Sequence, residues 1–383
     1  MILKANNPLP LQLMYLKELS LINFKNYEEA KLSFFPKVNC FTGNNGMGKT
    51  NLLDAIYYLS FCKSFFNAID SQNIRYEQGF FVIQGSFEKD GDTDDLYCGV
   101  KRNQKKQFKR NKKEYERLSE HIGIYPLVMI SPSDSELIVG GSEYRRKFID
   151  SIISQYDKVY LEKLIAYNHV LAQRNALLKQ FRQSNSFDSV TLELWDDQLI
   201  IHGDGILKKR IEFLQEFSQL FTQNFEYITD SKETVGLHYE PSTKDKDYRT
   251  ALMTALAKDR VLEHTSVGIH RDDIDFTLNG NSLKKFASQG QQKSYLLALK
   301  LAQFEFIKKI KHTAPLLLLD DVYDKLDEHR FRKLINLVNS NTFGQVFITD
   351  THSERINELF HEANVDVKLF HVENGTVNDI SHA

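Results

Sequence analysis

The segment Gly43-Asn44-Asn45-Gly46-Met47-Gly48-Lys49-Thr50 predicts more of this chain's fold than any other. It fits G-x-x-x-x-G-K-[ST], in which glycines let backbone N–H groups curl around phosphate oxygens. The apolar run Val38 to Phe41 before it predicts a buried strand, and the apolar spacing of Asn51 to Leu59 after it predicts a helix. A helix N-terminus at this place adds partial positive charge, so the segment predicts a phosphate-binding loop.

Residues 43–51 are therefore the predicted nucleotide contacts. Lys49 is predicted to reach the β- and γ-phosphates and to take part in catalysis, and Thr50 to be a ligand of Mg²⁺. The alternative is a glycine-rich turn that matches by accident, which is expected on the order of once per hundred chains of this size. The flanking strand and helix make that alternative rarer still.

Length and charge limit what the rest of the chain can be. With 383 residues the chain is longer than one ordinary domain, which predicts two lobes. A formal net charge of -2 argues against a protein that binds polyanions with its whole surface. Any contact with nucleic acid must therefore come from a local basic patch.

Cysteine spacing and hydropathy predict a cytosolic protein. Cys40, Cys62 and Cys98 match no C-x-x-C spacing, which favours buried, reduced thiols over a zinc or redox site. No apolar run is long enough for a transmembrane helix. Residues 1–13 are too short and too weakly apolar for a signal peptide and predict a disordered extension, after which Met14 could be the natural start.

A pair of strands and a basic segment follow the first helix. Phe80 to Phe87 and Leu96 to Val100 predict a hairpin joined by an acidic turn, Asp90 to Asp95. The basic run Lys101 to Lys113 comes next. It is either a solvated hairpin face or a surface that contacts DNA phosphates without sequence preference. The residues that would make the phosphate contacts are Lys105, Lys106, Lys109 and Arg110.

The middle of the chain predicts a helical lobe. Apolar residues at spacings of three and four from Ile149 to Phe181 predict one long amphipathic helix. After a polar break at Ser184 to Ser189, a second helical region runs from Leu192 to Phe221, with an interruption predicted near Gly203 and Gly205. The two form an antiparallel pair. Pro241 to Tyr248 is polar and predicts a return linker.

An apolar run near the C-terminus ends in two carboxylates. Pro315 to Asp321 has the form of a Walker B strand, which is apolar throughout and presents its carboxylates at the edge of a parallel sheet beside the phosphate-binding loop. Asp320 is the predicted Mg²⁺ ligand and Asp321 the predicted general base. The alternative is a strand capped by two turn-forming aspartates. Gln345 to His352 predicts another buried strand that ends in polar groups.

The segment Phe286 to Ser294 opens a further helix that Ser288 is placed to cap. Together with the Walker B strand it resembles the ATP-binding-cassette (ABC) ATPases, and among them the SMC and Rad50 heads. Ser288-Gln289-Gly290-Gln291-Gln292 resembles their signature motif, Asp327 matches the aspartate of their D-loop, and Thr349 to His352 lies where they place a switch residue.

From about Met14 to the C-terminus, the chain is similar to the bacterial RecF family. The stretches that carry this resemblance are Met14 to Leu16, Asn23 to Tyr27, the first helix to Phe65, Ile130 to Asp134, Tyr144 to Asp150, Gln173 to Lys179, Gly268 to Asp273 and Ala287 to Lys293.

The resemblance implies an α/β fold, with an ABC-ATPase head whose mixed sheet carries helices. Residues 14–130 and 251–383 would form this head, and residues 131–250 an inserted, mainly helical lobe. Two heads would close around ATP and Mg²⁺, one supplying residues 43–51 and the other Ser288, Gln289, Gly290 and Gln291. The dimer would be a DNA clamp released by hydrolysis. It would act in replication and in recombinational repair of gaps, recruiting RecR and RecO so that RecA replaces single-strand-binding protein.

Three residues depart from these patterns. Gln289 stands where transport ATPases usually have glycine, which fits RecF. Asp321 is one methylene shorter than the glutamate common in the wider class and predicts slow turnover. Lys25 stands where arginine is frequent in RecF-like chains. A transporter ATPase subunit and a structural clamp that does not hydrolyse ATP remain the alternatives.

Overall fold

The computed structural model describes residues 12, 14–231, 233–244, 246–321, 328–339, 343–352, 360, 362 and 365–380. Residue contacts divide the chain into two compact units. Unit 1 consists of Met1–Ser133 and Lys300–Ala383, and unit 2 of Asp134–Leu299. The first boundary lies close to the predicted one at residue 130. The second lies inside a helix, well beyond the predicted boundary at residue 250.

The described residues contain fifteen strands. They are β1 (Met14–Phe24), β2 (Tyr27–Ser33), β3 (Val38–Thr42), β4 (Phe80–Lys89), β5 (Asp92–Lys101), β6 (Gln107–Arg110), β7 (Lys113–Glu114), β8 (Leu127–Ile130), β9 (Val235–Glu240), β10 (Asp273–Leu278), β11 (Asn281–Ser282), β12 (Leu316–Leu319), β13 (Val346–Asp350), β14 (Val367–Glu373) and β15 (Thr376–Asp379).

The same part of the chain contains nine α-helices and three short 3₁₀ helices, at Asp70–Asn73, Leu118–Glu120 and Pro132–Ser135. The α-helices are α1 (Lys49–Phe61), α2 (Glu136–Val139), α3 (Ser142–Tyr156), α4 (Lys158–Ser184), α5 (Ser189–Thr229), α6 (Tyr248–Leu262), α7 (Leu283–Phe286), α8 (Gln289–Lys311) and α9 (Glu328–Asn339).

A six-stranded sheet in unit 1 has the strand order β15-β14-β3-β13-β12-β8. Its strands are parallel except that β15 pairs antiparallel with β14. Every residue of β3, β8, β12 and β13 is buried, as expected for parallel strands covered on both faces. Strand β13 lies between β3, which leads into the phosphate-binding loop, and β12, which ends at the paired carboxylates. Three chain segments therefore reach one edge of this sheet.

A second, antiparallel sheet in unit 1 has the order β2-β1-β4-β5-β6-β7. Its inward side chains alternate along each strand, for example Leu19 and Leu21 on β1 and Phe81 and Ile83 on β4. Helix α1 joins both sheets in one hydrophobic core and is buried on almost every side. The predicted hairpin is present, but its turn consists of Asp90 and Gly91 alone, because Asp92 already begins β5.

Unit 2 differs from the predicted helical lobe in two places. The single helix expected from Ile149 to Phe181 is broken at Asp157, which has an extended backbone and caps α4 by accepting a hydrogen bond from the Tyr160 N–H. Apolar periodicity continues across this break and hides it. Helix α5, in contrast, runs through Gly203 and Gly205 for 41 residues without the predicted interruption.

Close packing explains the glycine in the middle of α5. A Cβ at Gly203 would lie 2.5 Å from Cε1 of Tyr248, so the glycine lets the Tyr248 ring pack directly on the helix backbone. The prediction treated this glycine as a helix breaker, whereas its role is in tertiary packing.

The predicted return linker is a loop inside unit 2. Strand β9 ends just before it and pairs antiparallel with β10, which follows α6. Together with β11 these strands form a three-stranded sheet. This long-range pairing keeps residues 241–299 with the helical lobe.

Unit 2 also contains a fully buried arginine. The Arg174 guanidinium donates to Oδ2 of Asp259 at 2.8 Å and to the Thr265 hydroxyl at 2.9 Å, and it pairs with Asp196 as well. Both Arg174 and Asp259 have 0% exposure. A buried ion pair of this kind tolerates the loss of one partner poorly, because the other charge is left without compensation.

Replacing Arg174 by methionine is expected to lower the free energy of unfolding by about 3–5 kcal/mol, because Asp259 would remain buried without its cation. Urea denaturation of the full chain measures the change. Arg249→Met is the matched control, since the Arg249–Asp197 ion pair is open to solvent, with side-chain exposures of 52% and 43%. Equal midpoints for the two variants would contradict a stabilising role for the buried pair.

Other sequence predictions concern the termini and the cysteines. The predicted extension 1–13 lies outside the described residues except for Gln12, whose N–H donates to the His312 carbonyl at 2.9 Å. Cys40, Cys62 and Cys98 are free and buried. No helix in the described part of the chain is long and apolar enough to cross a membrane.

Candidate nucleotide-binding site

The predicted phosphate-binding loop connects β3 to α1, as its pattern requires. Lys49 begins the helix and is 4% exposed. Its ammonium group donates to the carbonyl oxygens of Gly43 at 2.7 Å and Asn44 at 3.0 Å, both within the loop. The one cation of the loop is therefore held at its centre.

All three glycines of this loop have positive φ, which other residues rarely adopt, and at two of them a Cβ would also clash with a neighbour. Gly43 has φ 142°, and a Cβ there would lie 2.2 Å from the Val372 carbonyl oxygen. Gly48 has φ 112°, and a Cβ there would lie 2.4 Å from Nδ2 of Asn26. Both positions therefore require glycine for conformation and for space.

Two residues at the turn from β1 into β2 support the loop from outside. The Asn26 amide donates to the Met47 carbonyl at 3.0 Å, and the Tyr27 hydroxyl donates to the Gly48 carbonyl at 3.0 Å. Asn51, a predicted nucleotide contact, donates to Oδ1 of Asn26 at 2.7 Å. The prediction did not assign this support to Asn26 and Tyr27. Although both lie in a RecF-like stretch, no local pattern indicates contact with the loop.

The Walker B strand places Asp320 beside the loop. The Thr50 hydroxyl donates to Oδ1 of Asp320 at 2.8 Å, and the Thr349 hydroxyl donates to the same oxygen at 2.9 Å. Thr349 belongs to the middle strand β13, Asp320 directly follows β12, and Thr50 lies just beyond the loop that follows β3. The cluster therefore forms where three neighbouring strands of the sheet end. The predicted metal ligands Thr50 and Asp320 are thus brought together.

Burial controls the ionisation of Asp320. The side chain is 3% exposed, and this burial raises the pKa of its carboxyl to about 6, while the bonds from Thr50 and Thr349 act in the opposite direction. Among the described residues no group of three or more histidine, cysteine, aspartate or glutamate side chains could hold a metal ion. The oxygen cluster of Thr50 and Asp320 is a different type of donor set.

Asp321 occupies the first turn after the strand. Its φ of 45° is left-handed, a conformation that aspartate tolerates better than most residues. Its N–H donates to the Thr349 hydroxyl oxygen at 2.9 Å, and its side chain is partly exposed. The backbone therefore turns at Asp321, while Asp320 stays in the buried cluster.

The possible switch residues differ in their surroundings. Thr349 contacts Asp320, and Asp350 accepts a hydrogen bond from the His352 N–H at 2.8 Å. The side chain of His352 is 68% exposed. Asp327, the predicted D-loop residue, lies outside the described residues.

The signature segment lies in unit 2 and caps the N-terminus of helix α8. The Gln291 N–H donates to the Ser288 hydroxyl oxygen at 3.2 Å, and the Ser288 N–H donates to Oε1 of Gln291 at 2.8 Å. This reciprocal pair is a capping box. Ser288 and Gln289 are exposed and Gly290 is partly exposed, so the predicted cap is confirmed and the segment remains open to solvent.

The basic run Lys101 to Lys113, called the basic hairpin from here on, contains cations that are paired with carboxylates of the described residues and cations that are not. Lys106 is largely buried and donates to Asp70 at 2.8 Å and to the Cys62 carbonyl at 2.6 Å. Arg110 makes two hydrogen bonds with Asp94, at 2.9 and 2.8 Å. The prediction of a wholly solvated hairpin face is therefore wrong for Lys106 and Arg110. Lys105 is exposed, and Lys109 lies over the Tyr97 ring.

Comparison with known proteins places the chain in a family. The profile of the RecF/RecN/SMC N terminal domain matches residues 15–378. A DNA replication and repair protein RecF from Bacteroides fragilis strain YCH46 is 50% identical over 368 residues, which cover 96% of this chain and 99% of that protein. The chain belongs to the RecF family.

Two further comparisons support the assignment to the RecF family. A DNA replication and repair protein RecF from Flavobacterium johnsoniae strain UW101 is 51% identical over 359 residues, covering 94% of this chain and 100% of that protein. The solved structure "recombination mediator protein RecF-ATP in RecFOR pathway" is 30% identical, covers 98% of this chain and 100% of that one, and has a TM-score of 0.88. The predicted family and the predicted α/β fold are confirmed.

Lys25, which the resemblance to RecF predicted to be a departure, has a local role in this structure. Its ammonium lies 2.6 Å from Oδ2 of Asp54 on α1, and its side chain is 11% exposed. Asp54 also accepts hydrogen bonds from the Ser64 hydroxyl and the Phe65 N–H. Lys25 therefore neutralises a buried carboxylate that orders the segment after α1.

Proposed function

We propose that this RecF-family chain is a DNA clamp in which two copies close around ATP on DNA and separate after slow hydrolysis. The observation that carries the proposal is the convergence of Thr50, Asp320 and Thr349 beside the phosphate-binding loop. Relatives named as DNA replication and repair proteins, and a solved relative named with ATP, support it. The clamp would act in replication and in gap repair in the cytoplasm, with RecR and RecO as partners.

The loop is the proposed site for the ATP phosphates. Its backbone N–H groups and the N-terminus of α1 favour negative charge. Lys49 now donates to two loop carbonyls, and an ionised phosphate is a stronger acceptor for the same ammonium. We therefore expect Lys49 to turn from these carbonyls to the β- and γ-phosphates.

Thr50 and Asp320 would hold Mg²⁺. Magnesium prefers oxygen ligands and usually takes one or two from side chains, with phosphates and water as the others. A threonine hydroxyl and an aspartate carboxylate 2.8 Å apart fit that preference. When bound, the ion neutralises charge on the phosphates. Thr349 would keep Asp320 oriented through its hydrogen bond.

Asp321 is the proposed general base for the attacking water. Thr349 holds its N–H, which fixes the turn that carries the carboxylate. The side chain is short, so its reach toward a water is limited, and slow, DNA-stimulated hydrolysis is the proposed consequence. Asp320 is less suited to this role because both threonines donate to its Oδ1.

The signature segment of one copy would contact the nucleotide held by the other. The Ser288 oxygen accepts from the Gln291 N–H, which leaves its own O–H free to donate to a phosphate. Ser288 and Gln289 are exposed at the N-terminus of the 23-residue helix α8, which adds partial positive charge. In this scheme residues 14–133 and 300–383 form the ATPase head.

The basic hairpin is still proposed to contact DNA phosphates, but through fewer residues than the four that the sequence predicted. Lys106 and Arg110 neutralise Asp70 and Asp94, so their charges are already compensated within unit 1. Lys105 and Lys109 have no carboxylate partner among the described residues. We propose that they supply the hairpin's phosphate contacts.

The raised pKa of Asp320 predicts how stability depends on pH when EDTA keeps the protein free of metal. The native pKa of about 6 lies above the unfolded value of 3.8, so the native state binds more protons between these values. The contribution of Asp320 to the unfolding free energy is therefore expected to fall by about 2–3 kcal/mol as pH rises from roughly 4 to 7.

Urea denaturation of the wild type and of Asp320→Asn at several pH values measures this contribution. The asparagine variant cannot titrate at this position, and the difference between the two curves isolates Asp320. A difference that does not change with pH would contradict the raised pKa.

Sedimentation velocity with ATP and a gapped duplex tests the clamp. We expect a monomer without nucleotide, and a dimer on DNA only when ATP is present. AMP, which lacks the β- and γ-phosphates, is the control nucleotide. A sedimentation coefficient that ATP does not change would contradict the proposal.

ATP hydrolysis with and without DNA separates the alternatives. A transporter-type subunit should not respond to DNA, whereas the clamp is expected to hydrolyse ATP faster on DNA. A structural clamp that does not hydrolyse ATP would dimerise but release no phosphate, even in a single-turnover assay.

A further inference from the structure

The outer face of the antiparallel sheet in unit 1 carries a groove of about 540 Å³. Strands β1, β2, β4, β5 and β6 supply its lining, together with Lys112 in the turn between β6 and β7. The opposite face of the same sheet packs into the hydrophobic core. The groove therefore belongs to the side of the sheet that faces solvent, away from the core.

A row of polar side chains crosses this face. Cross-strand pairing aligns Lys31 with Ser20, Ser20 with Gln84, Gln84 with Tyr97, and Tyr97 with Lys109. Four strand spacings separate the ends, a width of roughly 19 Å. In the described structure none of these five side chains has a hydrogen-bond or ion-pair partner. Such a row can offer its polar groups to a ligand.

Tyr97 forms a flat aromatic surface in the groove. A Cβ on Gly99 would lie 2.7 Å from the Tyr97 hydroxyl oxygen, so the ring extends over the glycine and along the sheet. The Lys109 ammonium lies 5.5 Å from the ring centroid. The glycine thus provides room for a ring that lies against the sheet and has a cation nearby.

The charges of the lining favour an anion with spaced charges. The lining contains three lysines, Lys31, Lys109 and Lys112, and two carboxylates, Glu18 and Asp95. Asp95 already accepts a hydrogen bond from the Ser86 hydroxyl, while the three ammonium groups have no carboxylate partner among the described residues. Three separated cations beside an aromatic ring suit the alternating phosphates and bases of a polynucleotide.

We propose that this groove binds a single strand of DNA, with Lys31, Lys109 and Lys112 on phosphates and Tyr97 stacked on a base. The proposal rests on the proposed function as a DNA clamp and specifies where an unpaired strand lies. A duplex conceals the faces of its bases, whereas an unpaired base can stack on Tyr97. No base-specific reading is implied, because every base has a π face.

Fluorescence anisotropy of a labelled dT20 strand with the full chain, with and without ATP, tests the groove. Tyr97→Ala is expected to weaken binding at least ~10-fold through loss of stacking, and Tyr97→Phe to preserve it. Lys31→Gln should reduce the slope of log affinity against log salt by about 0.7, the value for one phosphate of a single strand.

Two matched controls lie outside the groove. Tyr76→Ala removes an aromatic side chain that is 85% exposed, and Lys208→Gln removes a lysine that is 80% exposed on α5. Both should leave dT20 affinity unchanged. Thermal unfolding of each variant shows whether it is folded, and Lys31→Gln tests the groove even if Tyr97→Ala is unstable.

Wild-type dT20 affinity in folded Tyr97→Ala, or an unchanged salt slope in Lys31→Gln, would overturn the proposal. Equal losses for dT20 and a 20-base-pair duplex would overturn the assignment to a single strand. If the protein dimerises with ATP on gapped duplex and Tyr97→Ala has no effect on dT20 binding, the groove proposal is rejected and the clamp proposal is kept. Loss of dT20 binding in Tyr97→Ala when wild type never dimerises with ATP would support the groove and reject the clamp.

Discussion

Lys49→Ala is expected to remove most of the affinity for ATP and, with it, dimerisation on DNA. The Lys49 ammonium lies at the centre of the loop, 2.7 Å from the Gly43 carbonyl oxygen. Each hydrogen bond to a charged group contributes about 1.5–3 kcal/mol, so loss of two phosphate contacts should weaken ATP binding at least ~100-fold. Isothermal titration with Mg²⁺ and ATP measures the affinity.

Lys208→Ala is the matched control, because its ammonium is on the surface of α5 with 80% of the side chain exposed. It should bind ATP as the wild type does. A Lys49→Ala protein that is folded and has unchanged ATP affinity would contradict the assignment of residues 43–50 as the phosphate site.

Asp321→Asn is expected to bind ATP and dimerise but to hydrolyse ATP at least ~100-fold more slowly, since a general base contributes about 10²–10⁴-fold. Asparagine has the same shape and also tolerates the left-handed backbone at this position, φ 45°. The fold of the turn should therefore be preserved. Single-turnover hydrolysis on DNA measures the effect.

Asp321→Glu is the second variant whose ATP hydrolysis rate is compared with that of the wild type. It keeps the charge and adds one methylene, so it should hydrolyse ATP at least as fast as the wild type if limited reach causes slow turnover. Hydrolysis at the wild-type rate by Asp321→Asn would assign the base elsewhere, with His352 as the next candidate because it is an exposed titratable group after β13.

Local spacing predicted the loop and the Walker B strand correctly. Each is one strand followed by a turn, so its chemistry depends on residues close in sequence. The contact of Thr349 with Asp320 could not be read in this way, because it requires β13 to pair between β3 and β12. The sequence indicated only the range Thr349 to His352 for a switch residue.

The basic hairpin shows a second limit of sequence patterns. Lys105, Lys106, Lys109 and Arg110 looked equivalent as one run of charge. Strand pairing places Lys109 on the outer face beside Tyr97, while Arg110 reaches Asp94 on the neighbouring strand. Alternation along a strand sends successive side chains to opposite faces, and distant carboxylates then decide which charges are compensated.

The sequence by itself determined the phosphate-binding loop, the buried strands around it, the carboxylate pair and the cap at Ser288. These features depend on glycine conformation, apolar periodicity and short-range hydrogen bonds. Only the tertiary structure decided the meeting of Thr50, Asp320 and Thr349, the continuity of α5 and the outer row of Tyr97 and Lys109. Those features depend on strand order, register and packing between segments far apart in the chain, which no local pattern encodes.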